Sequence, residues 1–293
     1  MQMTCALKHI AITGTSSGIG KATMEAAVAA GFHVFAGDRA NDSARGGTVP
    51  DGETLTKIHL DITNADDIAA AVELIDGHVG DAGLDGLANI AGIGIPGPLE
   101  TMSLDDLRTS FDVDFFGQIA LTQPLIPLIR KAQGRIVFIG SIADRLTMPF
   151  FGALATSKSA IAAASDTFRQ ELAPWGIDVV LVEPGFISTG ADKATKARID
   201  ALIENFNPEA AELYGQMFKE ATDRGYKTQT SGSSPEGVAE VIMKGLTTEH
   251  PKAHYLTGAK SHLGAGLADL PQKLQDKVKR KAFDLPKPGS MSD

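Results

Sequence analysis

The 293-residue sequence predicts an α/β protein with one domain, built on a doubly wound parallel β-sheet. Two observations support this prediction: short apolar segments alternate with longer helical patterns, and a glycine-rich turn follows the first apolar segment. Neighbouring parallel strands need crossover connections, so strands that alternate with helices of roughly ten or more residues indicate βαβ units. Such crossovers are right-handed and place helices on both faces of the sheet.

The elements follow one another in a regular order. Predicted strands cover residues His9–Ile12, Phe32–Ala36, Lys57–Leu60, Leu84–Asn89, Arg135–Ile139 and Ile177–Val182. Predicted helices cover residues Lys21–Ala30, Ala65–Val79, Leu104–Arg130 and Leu154–Ala173. Residues 1–285 are therefore expected to form the single domain, and residues 286–293 to form a flexible tail.

Composition excludes several classes of protein. The formal charge of −9 makes general nucleic-acid binding unfavourable, because a phosphate backbone attracts net positive charge. The single cysteine, Cys5, has no partner for an intramolecular disulfide. The N-terminal residues lack the pattern of a signal peptide, and no run of 18 apolar residues predicts a membrane span. We therefore expect a soluble, cytoplasmic protein, and no residue cluster predicts a metal site.

The glycine-rich turn covers Thr13–Gly20, between the first strand and the first helix. Glycines at this place permit a tight turn and a close approach of the backbone to a pyrophosphate at the helix N-terminus. Asp38 follows the second strand, 18 residues after Gly20, where a carboxylate can bind ribose hydroxyls. This combination is typical of a Rossmann-type dinucleotide site.

In these motifs and in their order, the chain resembles the short-chain dehydrogenase/reductase family over nearly its whole length. The turn is similar to the family's TGxxxGxG motif, and Asp61 to the acid that contacts adenine. Asn89–Gly92 is similar to the NNAG segment, and Pro184–Thr189 to the segment whose threonine contacts the nicotinamide carboxamide. The resemblance implies the following cofactor-binding residues: Gly14, Ser16, Ser17, Gly18, Ile19, Gly20, Asp38, Arg39, Asp61, Ile62, Asn89, Ala91, Gly92, Lys158, Pro184, Gly185, Ile187 and Thr189.

The residues beside the ribose favour NAD, with NADP as the alternative. Asp38 would repel a 2′-phosphate, and Ser17 occupies a position that is often basic in relatives that prefer NADP. Arg39 could instead pair with that phosphate. A carboxylate beside a phosphate is a like-charge contact in a partly desolvated pocket, so NAD is the predicted cofactor.

The family's catalytic residues are retained only in part. Family members use a serine, an asparagine, and a tyrosine followed four residues later by a lysine that lowers the tyrosine's pKa. Ser141 and Lys158 match the serine and the lysine, whereas Leu154 occupies the tyrosine position and Asp114 the asparagine position. Loss of a general acid typically lowers the rate by about 10²–10⁴-fold. Two hypotheses follow: an NAD(P)-dependent oxidoreductase for an alcohol or carbonyl substrate with a non-standard active site, or a dinucleotide-binding pseudoenzyme that senses or binds a partner.

No other side chain is clearly predicted to supply the proton that the family's tyrosine would donate. Tyr214 fits an amphipathic helix, Tyr226 is predicted in a glycine-flanked loop, and Tyr255 in a late strand. None of the seven histidines lies in a matching motif. Ser141 and Lys158 could still polarise a substrate oxygen through water.

The substrate side is predicted from a long helical insertion. Residues 190–234, of mixed charge, are expected to form a lid over the substrate cleft. Met148, Phe150 and Phe151 would add an apolar wall, either as core packing under the lid or to receive a steroid-, retinoid- or acyl-like ligand. By resemblance, the two long helices are expected to pair across a two-fold axis in a homodimer or homotetramer. Four small residues of the second helix suit such packing: Ala155, Ser159, Ala162 and Ala163.

Overall fold

The computed structural model describes residues 8–40, 54–188 and 192–290. Its strands, in chain order, are β1 His9–Thr13, β2 His33–Asp38, β3 Leu55–His59, β4 Gly86–Asn89, β5 Arg135–Ile139, β6 Asp178–Pro184 and β7 His254–Thr257. They form one sheet in the order β3-β2-β1-β4-β5-β6-β7, and all six pairings are parallel. The predicted doubly wound parallel sheet is confirmed, with β7 as a seventh strand at one edge.

The helices alternate with these strands. They are α1 Gly18–Ala29, α2 Ala65–Val79, α3 Leu104–Phe111, α4 Gln118–Ala132, α5 Gly152–Leu172, α6 Asp192–Glu204, α7 Pro208–Thr230, α8 Pro235–Thr247, α9 Ser261–Ala268 and α10 Gln272–Phe283. No helix in the described ranges is both long enough and apolar enough to cross a bilayer.

Two apolar layers cover the two faces of the sheet. On one face, Leu121, Leu125 and Ile161 of α4 and α5 belong to the same core as Leu87 and Phe138 of the strands. On the other face, the core joins strand residues such as Ile10 and Val180 with α8 residues such as Ile242. The sheet is therefore buried on both sides, as the crossover topology requires.

One predicted helix is interrupted. The pattern over Leu104–Arg130 predicts a continuous helix, whereas a wider π-type turn covers Asp112–Gly117 between α3 and α4. Gly117 is needed inside this turn, because a Cβ there would lie 2.7 Å from the carbonyl oxygen of Ile62. Turns of this kind are frequent at functional sites, and this one carries Asp114.

The strand order determines where a ligand fits. From β1 the chain runs to β2 and β3 on one side, and it then returns to β4 on the other side. Such a reversal opens a crevice at the carboxyl ends of the strands, between the first and fourth strands here. Segments that follow β1, β4, β5 and β6 therefore meet at one edge of the sheet.

Candidate functional site

A cleft of about 370 Å³ lies at this edge of the sheet. The cofactor-binding residues predicted from the sequence that line it are Gly14, Ser16, Ser17, Ile19, Gly20, Asp38, Arg39, Asp61, Ile62, Ala91 and Gly92. They come from four separate segments of the chain, each at or directly after the carboxyl end of a strand. The topology thus brings the predicted dinucleotide residues together.

The first turn of α1 provides free backbone donors in this cleft. Ser17 is the N-cap residue but makes no side-chain capping bond, and no acidic residue lies in the first turn. Gly20 packs against the preceding turn so closely that a Cβ would lie 2.0 Å from the carbonyl oxygen of Gly14. Gly14 has φ +72, and a Cβ there would lie 3.0 Å from Ala91 Cα. The geometry fits a phosphate group, which uncapped N–H groups and the helix dipole attract.

Two carboxylates stand at the other side of the cleft. Asp38 Oδ2 accepts a hydrogen bond from the backbone N–H of Ser16 (3.0 Å), and Oδ1 accepts from that of Ala40 (2.8 Å). Burial acts to raise the pKa of Asp61, but hydrogen bonds from the Thr63 hydroxyl and amide outweigh it, and the pKa is lowered. Asp61 therefore presents a carboxylate to the cleft at neutral pH.

A second cavity, of about 430 Å³, adjoins the cleft and shares Ile19, Ile90, Gly92 and Ile93 with it. We call it the central cavity. Its lining includes Ser141, Leu154 and Lys158, which are three of the four positions discussed for catalysis. The predicted cofactor residues Pro184, Gly185 and Ile187 also line it. The candidate catalytic groups thus lie at one end of the dinucleotide cleft.

Ser141 is oriented by its neighbours on a short 3₁₀ turn, Ile142–Asp144. Its Oγ accepts a hydrogen bond from the Ala143 N–H (3.1 Å), and its own N–H donates to Asp144 Oδ2 (3.2 Å). A hydroxyl has one proton to donate and two lone pairs to accept with. The Ser141 proton is therefore available to an oxygen in the central cavity.

Lys158 and Asp114 form a buried pair. Lys158 Nζ donates to the carbonyl oxygen of Ile139 (3.0 Å) and lies 3.8 Å from Asp114 Oδ1. Asp114 is completely buried, and it also accepts from the Ile93 N–H (2.9 Å) and the Ser157 hydroxyl (3.1 Å). The pair lies directly beneath Gly92, where a Cβ would lie 2.9 Å from Asp114 Oδ1 and 3.3 Å from Lys158 Nζ.

A second carboxyl group lies beside Ser141. Burial, followed by the neighbouring charge of Glu183, raises the pKa of Asp144 to about 7. Glu183 is itself 1% exposed and forms an ion pair with Arg145, and its Oε2 lies 3.1 Å from His254 Nδ1. Asp144 therefore titrates near neutrality at the base of the Ser141 turn.

Some predicted residues lie away from both cavities. Asn89 is buried beneath them, with its Nδ2 donating to the Thr122 hydroxyl (2.9 Å), and Gly18 starts α1 without lining either cavity. Thr189 lies outside the described residues. Met148 and Phe151 line the central cavity as the predicted apolar wall requires, whereas Phe150 packs against Tyr214 and Phe218.

The predicted position of Tyr226 in a loop is wrong. The glycines that flank it, Gly225 and Gly232, indicate a loop in the sequence, but Tyr226 lies inside helix α7. It lines the central cavity together with Thr222, Gly225 and Gln229. These residues recur at three- and four-residue steps, a signal in the sequence that marks one helix face. Tyr214, in contrast, donates its hydroxyl to Glu100, and this bond raises its pKa.

A third cavity, of about 330 Å³, continues outward from the central one. The two share the residues Ile142, Met148, Phe186, Gly225 and Phe283. Its lining is mostly apolar, with Leu263 and Leu267 of α9 and Val278 of α10. Cleft, central cavity and outer cavity thus form one continuous depression.

Known proteins match this sequence and fold. A family model described as short chain dehydrogenase matches residues 8–200. An NADPH-dependent 3-dehydrocapnine reductase of Ornithobacterium rhinotracheale is 32% identical over 93% of this chain and 96% of that protein. Human 17-beta-hydroxysteroid dehydrogenase type 6 is 33% identical over 95% and 90%, respectively. The crystal structure of a short-chain dehydrogenase from Streptomyces avermitilis superposes with a TM-score of 0.72 and 27% identity, covering 95% of this chain and 96% of that chain.

Proposed function

The chain belongs to the short-chain dehydrogenase family, and we propose that it is an NAD(P)-dependent oxidoreductase for an alcohol or carbonyl substrate with a non-standard active site. The observation that carries this proposal is the contact between the dinucleotide cleft and the central cavity, which share four lining residues. A nicotinamide at the end of the cleft would face the groups around Ser141. The reductase and dehydrogenase activities named for the two relatives support the same reaction class.

The cleft residues suit a dinucleotide. Backbone N–H groups of the α1 first turn would bind the pyrophosphate, Asp38 the adenosine ribose, and Asp61 with Ile62 the adenine. The bound dinucleotide supplies the hydride that the protein's own side chains cannot provide. We propose NAD rather than NADP, because the Asp38 carboxylate lies where a 2′-phosphate would add a second negative charge.

Two side chains of the central cavity would act on the substrate oxygen. The Ser141 hydroxyl, whose oxygen already accepts from Ala143, would donate its proton as a hydrogen bond. The Lys158 ammonium, anchored to Ile139 and Asp114, would hold the nicotinamide ribose and add positive charge near the oxygen. Neither group replaces an acid that gives up its proton during each turnover.

We propose an apolar substrate. The central and outer cavities are lined by Met148, Phe151, Phe186, Leu263 and Leu267, among others. Apolar walls with a few convergent polar groups are typical of small-molecule sites. Helices α6 and α7, which contribute Ile199 and Gln229 to the lining, would serve as the substrate lid.

The second candidate function is a dinucleotide-binding pseudoenzyme. Leu154 at the tyrosine position and the buried Asp114–Lys158 pair favour it, because both changes fall on the proton-transfer groups while the cleft is retained. Such a protein would bind the dinucleotide with high affinity and act through a partner.

A comparison of the wild type with Leu154→Tyr tests both functions. Binding of NADH and NADPH would be measured by fluorescence titration, and reduction of a panel of apolar ketones and aldehydes by the loss of absorbance at 340 nm. If the protein is an oxidoreductase, we expect the wild type to turn over and to bind NADH more tightly than NADPH. Binding without turnover, with activity appearing only in Leu154→Tyr, would instead establish the pseudoenzyme.

The same proposal includes a cytoplasmic homodimer or homotetramer. Ser159 and Ala163 on α5 are exposed, as is Phe116 in the turn before α4, so these side chains are available for helix pairing. Ala155 is buried within the protomer and Ala162 is half-buried, so the predicted small-residue face is only partly accessible. Light scattering of the purified chain measures the oligomeric state.

A further inference from the structure

The central cavity needs a proton donor, and its polar lining contains few candidates. The side chains in this lining that carry an O–H or N–H group are those of Ser141, Lys158, Thr222, Tyr226 and Gln229. Thr222 is almost fully buried and donates its hydroxyl to the Phe218 carbonyl oxygen (2.7 Å), and the Gln229 amide is not an acid. Lys158 is held by Ile139 and Asp114. Tyr226 is the phenol in this lining.

Helix α7 contributes Tyr226 to the same cavity that Leu154 and Lys158 of α5 line. Thr222, Gly225, Tyr226 and Gln229 lie on one helix face, and all of them line the cavity. At Gly225 a Cβ would lie 3.7 Å from Cζ of Phe151, the residue immediately before α5. This distance is an ordinary van der Waals contact, so Gly225 of α7 lies beside the residue that precedes α5, the helix that carries Leu154.

The Tyr226 hydroxyl is available for a ligand. Tyr214 donates to Glu100, and the Tyr255 hydroxyl accepts from the Lys252 N–H (3.0 Å). Within residues 8–40, 54–188 and 192–290, no protein group forms a hydrogen bond with the Tyr226 hydroxyl. The Tyr226 side chain is partly buried, and a bound substrate that excludes water from the cavity would leave its hydroxyl to pair with the substrate oxygen.

We propose that Tyr226 is the catalytic acid and base of this active site, in place of the side chain missing at Leu154. The inference rests on the oxidoreductase function proposed above. In reduction, the Tyr226 O–H bond breaks as the O–H bond of the product alcohol forms, while the carbonyl carbon receives the hydride from the reduced dinucleotide. The phenolate regains its proton from water. In oxidation, the phenolate accepts the proton of the alcohol oxygen.

Tyr226→Phe is the principal variant, since it removes the hydroxyl and retains the ring. We expect kcat for ketone reduction to fall by about 10²–10⁴-fold, with KM and the Kd of NADH changing less than about threefold. Tyr214→Phe is the matched control, because its hydroxyl contacts Glu100 away from the cavity, and it should retain wild-type kcat. Adding Leu154→Tyr to Tyr226→Phe should recover at least about tenfold in kcat, since that position is adjacent to Lys158 on the same helix face.

Carbon-13 NMR of the tyrosine Cζ atoms provides a readout independent of turnover. The chain has three tyrosines, so three signals are expected, and Tyr214→Phe and Tyr255→Phe assign them by elimination even if Tyr226→Phe fails to fold. With NAD⁺ and decan-2-one, which cannot react together, the Tyr226 signal should move while the other two remain.

The outcomes separate the two proposals. A wild type that turns over, with a Tyr226→Phe kcat within threefold of it or a Tyr226 signal unchanged by decan-2-one, overturns the role of Tyr226 only. A rise in KM without a fall in kcat assigns Tyr226 to binding and also overturns it. A wild type without turnover overturns the proposed function itself, and the catalytic role with it.

Discussion

The cleft and the central cavity share one edge of the sheet, but they are built differently. The phosphate end of the cleft is formed by backbone, namely the Gly14 and Gly20 turn and the uncapped start of α1, while Asp38 and Asp61 line its other side. The central cavity depends on side chains from α5, α7 and the loops after β5 and β6. By the resemblance of the sequence, the cleft residues are expected to follow the family motifs, whereas Leu154 and Asp114 are expected to depart from the family's tyrosine and asparagine. A backbone site is tied to its local sequence, while a side-chain function can move to another element that reaches the same space.

The largest expected effect on cofactor binding lies in the cleft. Gly20→Ala would place a Cβ 2.0 Å from the Gly14 carbonyl oxygen, so the turn must shift. We expect the Kd of NADH to rise at least about 100-fold, or about 3 kcal/mol, and the free energy of unfolding to fall by about 2–4 kcal/mol. Titration calorimetry and urea unfolding measure the two quantities.

Gly77→Ala is the matched control for this variant. Gly77 lies inside α2, and nothing is within 4 Å of a Cβ built there. The free energy of unfolding should rise by about 0.5–1 kcal/mol, because alanine favours a helix interior, and NADH binding should stay the same. If Gly20→Ala bound NADH as tightly as the wild type, NADH binding would not require the close approach of the Gly20 and Gly14 backbones.

The Asp114–Lys158 pair should show strong coupling. Removing either charge by Asp114→Asn or Lys158→Met leaves its partner buried, so each change should lower the free energy of unfolding by about 3 kcal/mol. The double variant should be at least about 1 kcal/mol more stable than the sum of the single effects predicts. Urea unfolding of the four proteins completes the cycle.

An exposed pair at the same separation calibrates that measurement. Lys21 and Glu25 also lie 3.8 Å apart, but both side chains are more than half exposed. Water screens such a pair, so a cycle with Lys21→Met and Glu25→Gln should give a coupling of about 0.5 kcal/mol or less. Equal couplings for the two pairs would show that burial of Asp114 and Lys158 has no energetic consequence.

A smaller, pH-dependent effect is expected at Asp144. Its pKa rises from 3.8 to about 7 on folding, so between these values the unfolded chain ionises while the folded chain retains the proton. Stability from this group is present below about pH 4 and is lost as the pH rises to about 7. Asp144→Asn cannot ionise and should gain roughly 1–3 kcal/mol relative to the wild type between pH 4 and pH 8.

Asp166→Asn should show the opposite trend. Burial acts to raise the pKa of Asp166, but hydrogen bonds from His254 and Arg169 outweigh it and lower the pKa. Because the folded pKa lies below the unfolded one, the wild type should lose stability relative to this variant as the pH falls below the usual pKa of an aspartate. Thermal unfolding followed by circular dichroism at several pH values measures both variants, and a pH-independent difference for Asp144→Asn would contradict the raised pKa.

The sequence predicts the fold because strands, helices and the glycine turn depend on local patterns, and most of the residues expected to bind the cofactor line one cleft. Apolar segments of strand length and a glycine turn before α1 are readable without knowledge of distant contacts. The π-type turn at Asp112–Gly117 is not readable, since it depends on how Gly117 packs against Ile62. The position of Tyr226 within a helix is not predicted, because the two flanking glycines indicate a loop. Tertiary packing of α7 over the cavity overrides this local preference.

The face of α7 that holds Thr222, Gly225, Tyr226 and Gln229 also forms a wall of the central cavity. If the proton is delivered from this helix, recognition and acid chemistry are inherited together on one segment. Exchanging α7 between relatives to alter substrate range would then transplant or delete the acid in the same step. In a relative whose acid lies on the helix that corresponds to α5, the two properties could diverge independently, so a chain with the acid on α7 would have less evolutionary freedom.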